Sequence, residues 1–221
     1  MGKERTFAAP CPKCGKTVDC HVIEVLEPGD EALQTLFKSG LNVQTCPACK
    51  AKFTVDGPLV YKESEPPYLV FLEKFPEDGD IESLEQQIDE LVTNVSNDGN
   101  SEKPEVRVVF SMPDFLEKVA LRKAGFDDRL VEYAKLQLFR TMDEVQLSRS
   151  QHRLMYDFEH SNDDMLYFLV YDRNTSQVVN LLQVPMNEYH SLELALQASE
   201  EASAELLTAF PGSYVSAERL L

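Results

Sequence analysis

Two short repeats carry the most specific chemistry in this sequence, Cys11-Pro12-Lys13-Cys14-Gly15-Lys16 and Cys46-Pro47-Ala48-Cys49-Lys50-Ala51. Two thiolates at i and i+3 on a tight turn bind one face of a tetrahedral ion, and a second such turn supplies the other face. The expected metal ligands are therefore Cys11, Cys14, Cys46 and Cys49, and the expected ion is Zn2+. Four sulfurs close the coordination sphere. A site with no open position cannot activate water, so its expected role is to hold the fold together, and no catalytic residue is expected.

The turns themselves fit this chemistry. Proline after the first cysteine of each repeat restricts the backbone, and Gly15 stands where such a turn needs a residue tolerant of positive φ and where backbone N–H groups can point at sulfur. Lys50 holds the matching place in the second repeat. A non-glycine residue there is uncommon but tolerated, and its ammonium can offset thiolate charge. The spacing between the repeats exceeds the roughly 15 to 20 residues usual for such sites, which an inserted helix would explain. The competing reading is two unrelated thiol pairs, either redox-active or simply buried.

Cys20 is the odd cysteine. It lies in an alternating run over residues 17–25, on the same side as Val18 and Val22, and reads as a small buried strand residue. The rival readings are a redox thiol near the metal, or His21 as a substitute ligand.

Composition narrows the class. A chain of 221 residues with 43% hydrophobic content can bury a core and form one or two domains. No apolar run reaches the roughly 18 residues of a membrane span, and no apolar signal core follows the N-terminal charges, so a cytoplasmic protein with no membrane partner is expected. In a reducing compartment free CxxC pairs read as metal ligands. The net charge is −17, and it is unevenly spread. Residues 1–62 hold 8 Lys+Arg against 7 Asp+Glu, whereas residues 63–221 hold 13 against 31. Most of such a surface repels phosphate, which argues against nucleic acid as a partner even though Lys13, Lys16, Lys50 and Lys52 cluster around the cysteines.

The elements that must position the cysteines follow from patterning. A strand, the first turn and an alternating strand occupy residues 5–25; Asp30 is expected to cap a helix over 31–38 that Gly40 stops. Strands at 59–61 and 68–72 form an expected hairpin, after Asp56-Gly57-Pro58. An amphipathic helix is expected over 80–96, with Ile81, Leu84, Ile88, Leu91, Val92 and Val95 on one face, then a loop of mobile composition over 97–104. A strand at 105–110 precedes helices over 112–123 and about 129–145, broken by Gly125, with Asp127 or Asp128 as the cap.

These features together resemble the CpXC family of bacterial and archaeal proteins. The resemblance rests on the two Cys-Pro-x-Cys motifs, on Asp56-Gly57-Pro58-Leu59-Val60-Tyr61, and on Ala124-Gly125-Phe126-Asp127-Asp128-Arg129, and it spans about residues 5–140. It implies four metal thiolates, Cys11, Cys14, Cys46 and Cys49, and implies no catalytic residue. The Lys50 departure from glycine touches only the shape of the second turn.

Beyond about residue 147 the composition changes: residues 143–221 contain no Lys, 4 Arg and 13 Asp+Glu. Three strands, at 153–158, 165–171 and 177–184, form an expected meander covered by one helix over 186–207. The expected architecture is thus α+β: a domain over 1–145 with a zinc-ribbon-like element and helices, then an acidic meander-plus-helix module over 146–221. Asp127, Asp128 and Arg129 are the one charged cluster that invites an acid–base reading, but their place between helices is what capping requires. His21, His152, His160 and His190 show no metal spacing. The expected function is that of a zinc-binding protein-interaction or regulatory module with an unidentified protein partner. The alternative is a thiol redox sensor that releases zinc on oxidation; nucleic-acid binding ranks third.

Overall fold

The computed structural model describes residues 3–55, 57–96 and 102–221, the side chains of Ser39, Val95 and Ser96 excepted. Asp56, residues 97–101 of the expected loop over 97–104 and the place of Val95 on its helix face lie outside the described residues. The chain is α+β and divides into two compact units, one ending at Met112 and the other beginning at Pro113.

In the first unit, strands β1 (Glu4–Pro10) and β2 (Thr17–Ile23) form an antiparallel hairpin whose loop is the first cysteine repeat. Alternation along β2 buries Val18, Cys20 and Val22 and exposes Asp19 and His21. After β3 (Val25–Leu26), helix α1 (Glu31–Ser39) supplies the insertion that the long spacing between repeats requires. Leu33 and Leu36 form its buried side, and Gly40, at φ 82°, ends it with its N–H on the Leu36 carbonyl. Asp30 occupies the N-cap position but makes no side-chain cap bond. Its carboxylate accepts the Glu27 N–H at 2.9 Å, so the acid closes the preceding turn, where capping of the helix was expected.

Strands β4 (Val43–Thr45) and β5 (Lys52–Thr54) form a second antiparallel hairpin around the second cysteine repeat. The expected hairpin of β6 (Leu59–Ser64) and β7 (Pro67–Leu72) lies at the centre of a sheet ordered β3-β6-β7-β8, with β8 (Glu105–Val109) parallel to β7. Helix α2 (Ile81–Ser96) packs on one face of it, placing Ile88 and Val92 against Val108, Leu69 and Phe71. Its helical repeat explains the fit: Leu84, Ile88 and Val92 recur every four residues and share one face.

The second unit joins helices α3 (Met112–Ala124) and α4 (Asp128–Thr141) with an antiparallel meander, β9 (His152–Tyr156), β10 (Met165–Asp172) and β11 (Val178–Pro185). Composition and resemblance group the two helices with the cysteine repeats; contacts group them with the C-terminal strands. Leu166, Phe168 and Val170 of β10 supply its buried face. The expected single helix over 186–207 is two, α5 (Met186–Ala198) and α6 (Glu200–Ala209). Ser199 breaks it by accepting the Ala202 N–H, which is the N-cap role that serine prefers over a helix interior.

Helices α3 and α4 meet through buried charge. Lys118 Nζ lies 2.9 Å from Asp128 Oδ2 and 3.2 Å from Glu132 Oε1; Lys135 Nζ lies 2.7 Å from Glu117 Oε1 and 3.0 Å from Glu132 Oε1. Each of the five side chains is less than about a tenth exposed. Backbone donors complete the set, with the Tyr156 N–H on Glu117 and the Ala217 N–H on Glu132 Oε2 at 2.9 Å, the latter from the terminal 3-10 turn Ala217–Arg219. Burial pushes the Glu117 carboxyl up, and the Glu132 charge adds to this against the pull of Lys135 and Lys118. For Glu132 burial also opposes ionisation, yet Lys118, Lys135 and the Ala217 N–H together hold it below the usual carboxylate range.

This network corrects half of the capping expectation. Asp127 caps α4, its carboxylate accepting the Arg129 N–H at 2.9 Å, whereas Asp128 is a buried partner of Lys118. Asn caps nearly as well as Asp, so Asp127→Asn should change stability by less than about 0.5 kcal/mol. Asp128→Asn removes one charge of a buried pair and should cost on the order of 3 kcal/mol in denaturant unfolding. Equal small costs at the two positions would show that Lys118 does not need Asp128.

Candidate metal centre

The two cysteine repeats fold into the same turn. In the first, the Cys11 N–H donates to the Lys16 carbonyl and the Gly15 N–H to the Cys11 carbonyl, both at 2.9 Å; in the second, the Cys46 N–H donates to Ala51 and the Lys50 N–H to Cys46, again at 2.9 Å. Register places Pro10 opposite Thr17 and Thr45 opposite Lys52, so each turn closes a hairpin at the equivalent point. The equivalence extends to the backbone torsions: Gly15 has φ 69° and Lys50 has φ 61°. The left-handed conformation expected of this position is present in both turns, and the second adopts it with a lysine.

The turns bring their sulfurs together. Cys11 Sγ lies 3.7 Å from Cys49 Sγ, Cys14 Sγ lies 3.7 Å from Cys46 Sγ, and all four lie within 4.8 Å of one another. With Zn–S bonds of about 2.3 Å, a regular tetrahedral ion requires sulfurs about 3.8 Å apart. The donor set therefore fits a tetrahedral, sulfur-binding metal ion. The first cysteine of each repeat, Cys11 or Cys46, is buried, while Cys14 is exposed and Cys49 is intermediate. This arrangement, two knuckled hairpins sharing four cysteines, is zinc-ribbon-like.

Electrostatics show what four crowded thiols require. The N–H groups of Cys49 and Ala48 point at the Cys46 sulfur and, against burial, bring its pKa down to about 6. At Cys14 the Lys16 N–H also pulls down, but Cys49, burial, Cys11 and Cys46 outweigh it and push the thiol up to about 11. Without a cation Cys46 ionises readily and Cys14 resists. A dication reverses that order by favouring the charged form of all four.

Cys20 lies beneath this site, fully buried, packed with Cys11, Val18 and Cys46, with its thiol on the Val18 carbonyl at 3.4 Å. That is the buried strand position read from the alternation. His21 points to the opposite face of β2, where Nδ1 lies 3.0 Å from Thr6 Oγ1. The other histidines lie beside local partners: His152 accepts the Ser148 N–H, His160 lies 2.6 Å from Asp157 and His190 lies 3.4 Å from Glu193. Among the described residues, Cys11, Cys14, Cys46 and Cys49 are the group of His, Cys, Asp or Glu side chains close enough to share an ion. The acid–base reading of Asp127, Asp128 and Arg129 finds no shared site, since one acid caps a helix and the other is buried on Lys118. Sequence reasoning missed the Glu117, Lys118, Asp128, Glu132 and Lys135 network. Its signal was the stripe 128, 132, 135, 139, charged residues in line with Phe139 on one helical face.

Positive φ at Lys50 has a testable cost. An L-residue in the left-handed region loses about 1 kcal/mol relative to glycine, so Lys50→Gly should raise the unfolding free energy of the metal-loaded chain by about that amount. A fall in stability would mean that the lysine side chain contributes more than the backbone term costs.

Residues 9–135 match the family model described as CpXC protein, a span that begins just before the first cysteine repeat and ends within α4. Comparison with curated proteins and with solved structures finds no match. The repeated turn, the shared four-cysteine cluster and a match over more than half of the chain agree, and the chain belongs to the CpXC protein family.

Proposed function

We propose that Cys11, Cys14, Cys46 and Cys49 hold one zinc ion in a closed structural site, and that the chain acts as a protein-interaction or regulatory module without a reaction of its own. The carrying observation is the pair of 3.7 Å sulfur separations, which equal the edge of a zinc–thiolate tetrahedron within about 0.1 Å. When bound, zinc supplies charge neutralisation and a crosslink between two hairpins; all four of its positions are taken by protein. The chain's own residues orient the thiolates through the turn N–H groups and bury Cys11 and Cys46. A net charge of −17 favours a protein partner over nucleic acid. Five free cysteines without a disulfide fit a reducing compartment, which supports a cytoplasmic location. No helix among the described residues is long and apolar enough to cross a membrane.

The second reading is a redox sensor. It is favoured by the exposure of Cys14, whose sulfur lies 3.7 Å from Cys46 and can meet an oxidant from solvent. A peroxide titration separates the two. Release of zinc near stoichiometric peroxide supports the sensor; retention through a large excess supports the structural site.

Native purification should yield about one zinc per chain, with sulfur-only coordination near 2.3 Å by X-ray absorption. Mixed nitrogen and sulfur coordination, or a folded metal-free chain, would count against the assignment. Cys20→Ser should keep the full metal content, because Cys20 is a packing residue beneath the site.

Because the four thiols come together only in the folded hairpins, the free energy of metal binding is folding free energy for those hairpins. Hydrogen exchange with a chelator should therefore show protection lost around Cys11–Cys49 and largely kept at Leu130–Leu138 and Leu166–Val170. Uniform loss would make the chain a single cooperative unit.

A further inference from the structure

The hairpins that carry the cysteines are separate two-stranded sheets, β1-β2 and β4-β5. Among the described residues no main-chain ladder sets one against the other. They are joined instead by two side-chain amides. Asn42 Oδ1 accepts the Ile23 N–H at 2.8 Å while its Nδ2 donates to the Ile23 carbonyl at 3.1 Å. Gln44 Oε1 accepts the His21 N–H at 3.4 Å while its Nε2 donates to the His21 carbonyl at 2.7 Å.

The pattern is that of a strand built from side chains. Along β2, residues two apart turn their N–H and C=O to the same edge, and an amide offers one acceptor and one donor at the spacing that a peptide group would. Asn42 and Gln44 are also two apart, and they run against Ile23 and His21 in antiparallel order. Asn42 has φ 59°, a conformation that Asn adopts more readily than most non-glycine residues. Its own carbonyl accepts the Val55 N–H at 3.1 Å, which ties the residue to the far end of the second hairpin. Two residues beyond Gln44 comes Cys46, whose sulfur lies 3.7 Å from Cys14 of the first hairpin.

We infer that Asn42 and Gln44 are positioning residues for the four-cysteine site, an amide clamp that sets the register between the two hairpins and so the separation of their sulfur pairs. This inference rests on the metal reading above. A slip of the clamp by one residue would turn the amides to peptide groups facing β1, already paired with β2, so two registers are not equally available. The clamp lies on the open edge of β2, while the sulfurs lie at the turn end of both hairpins. It therefore acts on the metal through strand geometry and without touching it, as partners outside a ligand shell do.

The test uses the full chain loaded with Co2+, whose visible bands report thiolate geometry. Asn42→Asp with Gln44→Glu keeps size and the two acceptors but turns an oxygen toward the Ile23 and His21 carbonyls. The double variant should still take up cobalt, with shifted bands and a loss to competing chelator about 10- to 100-fold faster than wild type. Val108→Ala, in the core beneath α2, lowers stability without touching either hairpin and should leave bands and loss rate unchanged. Bands and loss rate equal to wild type in the double variant overturn the clamp. A wild-type chain that binds no cobalt overturns the metal reading instead, and the clamp is then judged on the metal-free chain. Exchange at the His21 and Ile23 amides that is slow in wild type and fast in the double variant supports it; equal exchange overturns it.

Discussion

The crowding of four cysteine sulfurs is the constraint on which the two N-terminal hairpins depend. Four sulfurs held within 4.8 Å of one another repel when charged, which a bound cation relieves. The buried cluster at the site consists of Cys11, Val18, Cys20 and Cys46, two of which are the proposed ligands. Burying one aliphatic side chain contributes about 1.5 to 3 kcal/mol, whereas zinc in a structural thiolate site contributes about 10 to 16 kcal/mol near neutral pH. A metal there would dominate the cohesion of the two hairpins, and the backbone around it is arranged accordingly. N–H groups aim at sulfur, left-handed residues close both turns, and two amides hold one hairpin against the other.

The repeated turn separates what the geometry demands from what the residue type supplies. Both turns share their hydrogen bonds and the sign of φ at the residue after the second cysteine, although one places glycine there and the other lysine. The demand is set by the need to bring two sulfurs of one turn to the same side. Glycine meets it without strain, and lysine meets it at a modest steric cost.

The C-terminal unit is organised by different physics. Its two helices meet through five buried ionic side chains, with backbone N–H groups from β9 and the terminal turn satisfying carboxylate oxygens. Such a network adds little net stability over an apolar contact of the same shape, because desolvation offsets most of the Coulombic gain. It is nevertheless selective. Removing one partner would leave a buried charge uncompensated, and that cost requires α3 and α4 to meet with lysine facing carboxylate.

Spacing and residue type alone determined the cysteine set, the two turns that carry it, the buried side of Cys20, the helix inserted between the repeats and most of the order of strands and helices. These are local properties, set by periodicity, by glycine tolerance and by thiolate chemistry. The side-chain roles of Asp30 and Asp128 were not legible, because a carboxylate before or at a helix start satisfies capping in sequence whether it bonds to that helix, to an earlier turn or to a buried lysine. The break at Ser199 was hidden by apolar spacing that continues across it. Only the tertiary structure decided that Lys118 and Lys135 are buried, that α3 and α4 group with the C-terminal strands, and that Asn42 and Gln44 complete the edge of β2. Each of those outcomes depends on which long-range neighbour reaches a polar group first, and pairing between residues far apart in the chain leaves no periodic trace in the sequence.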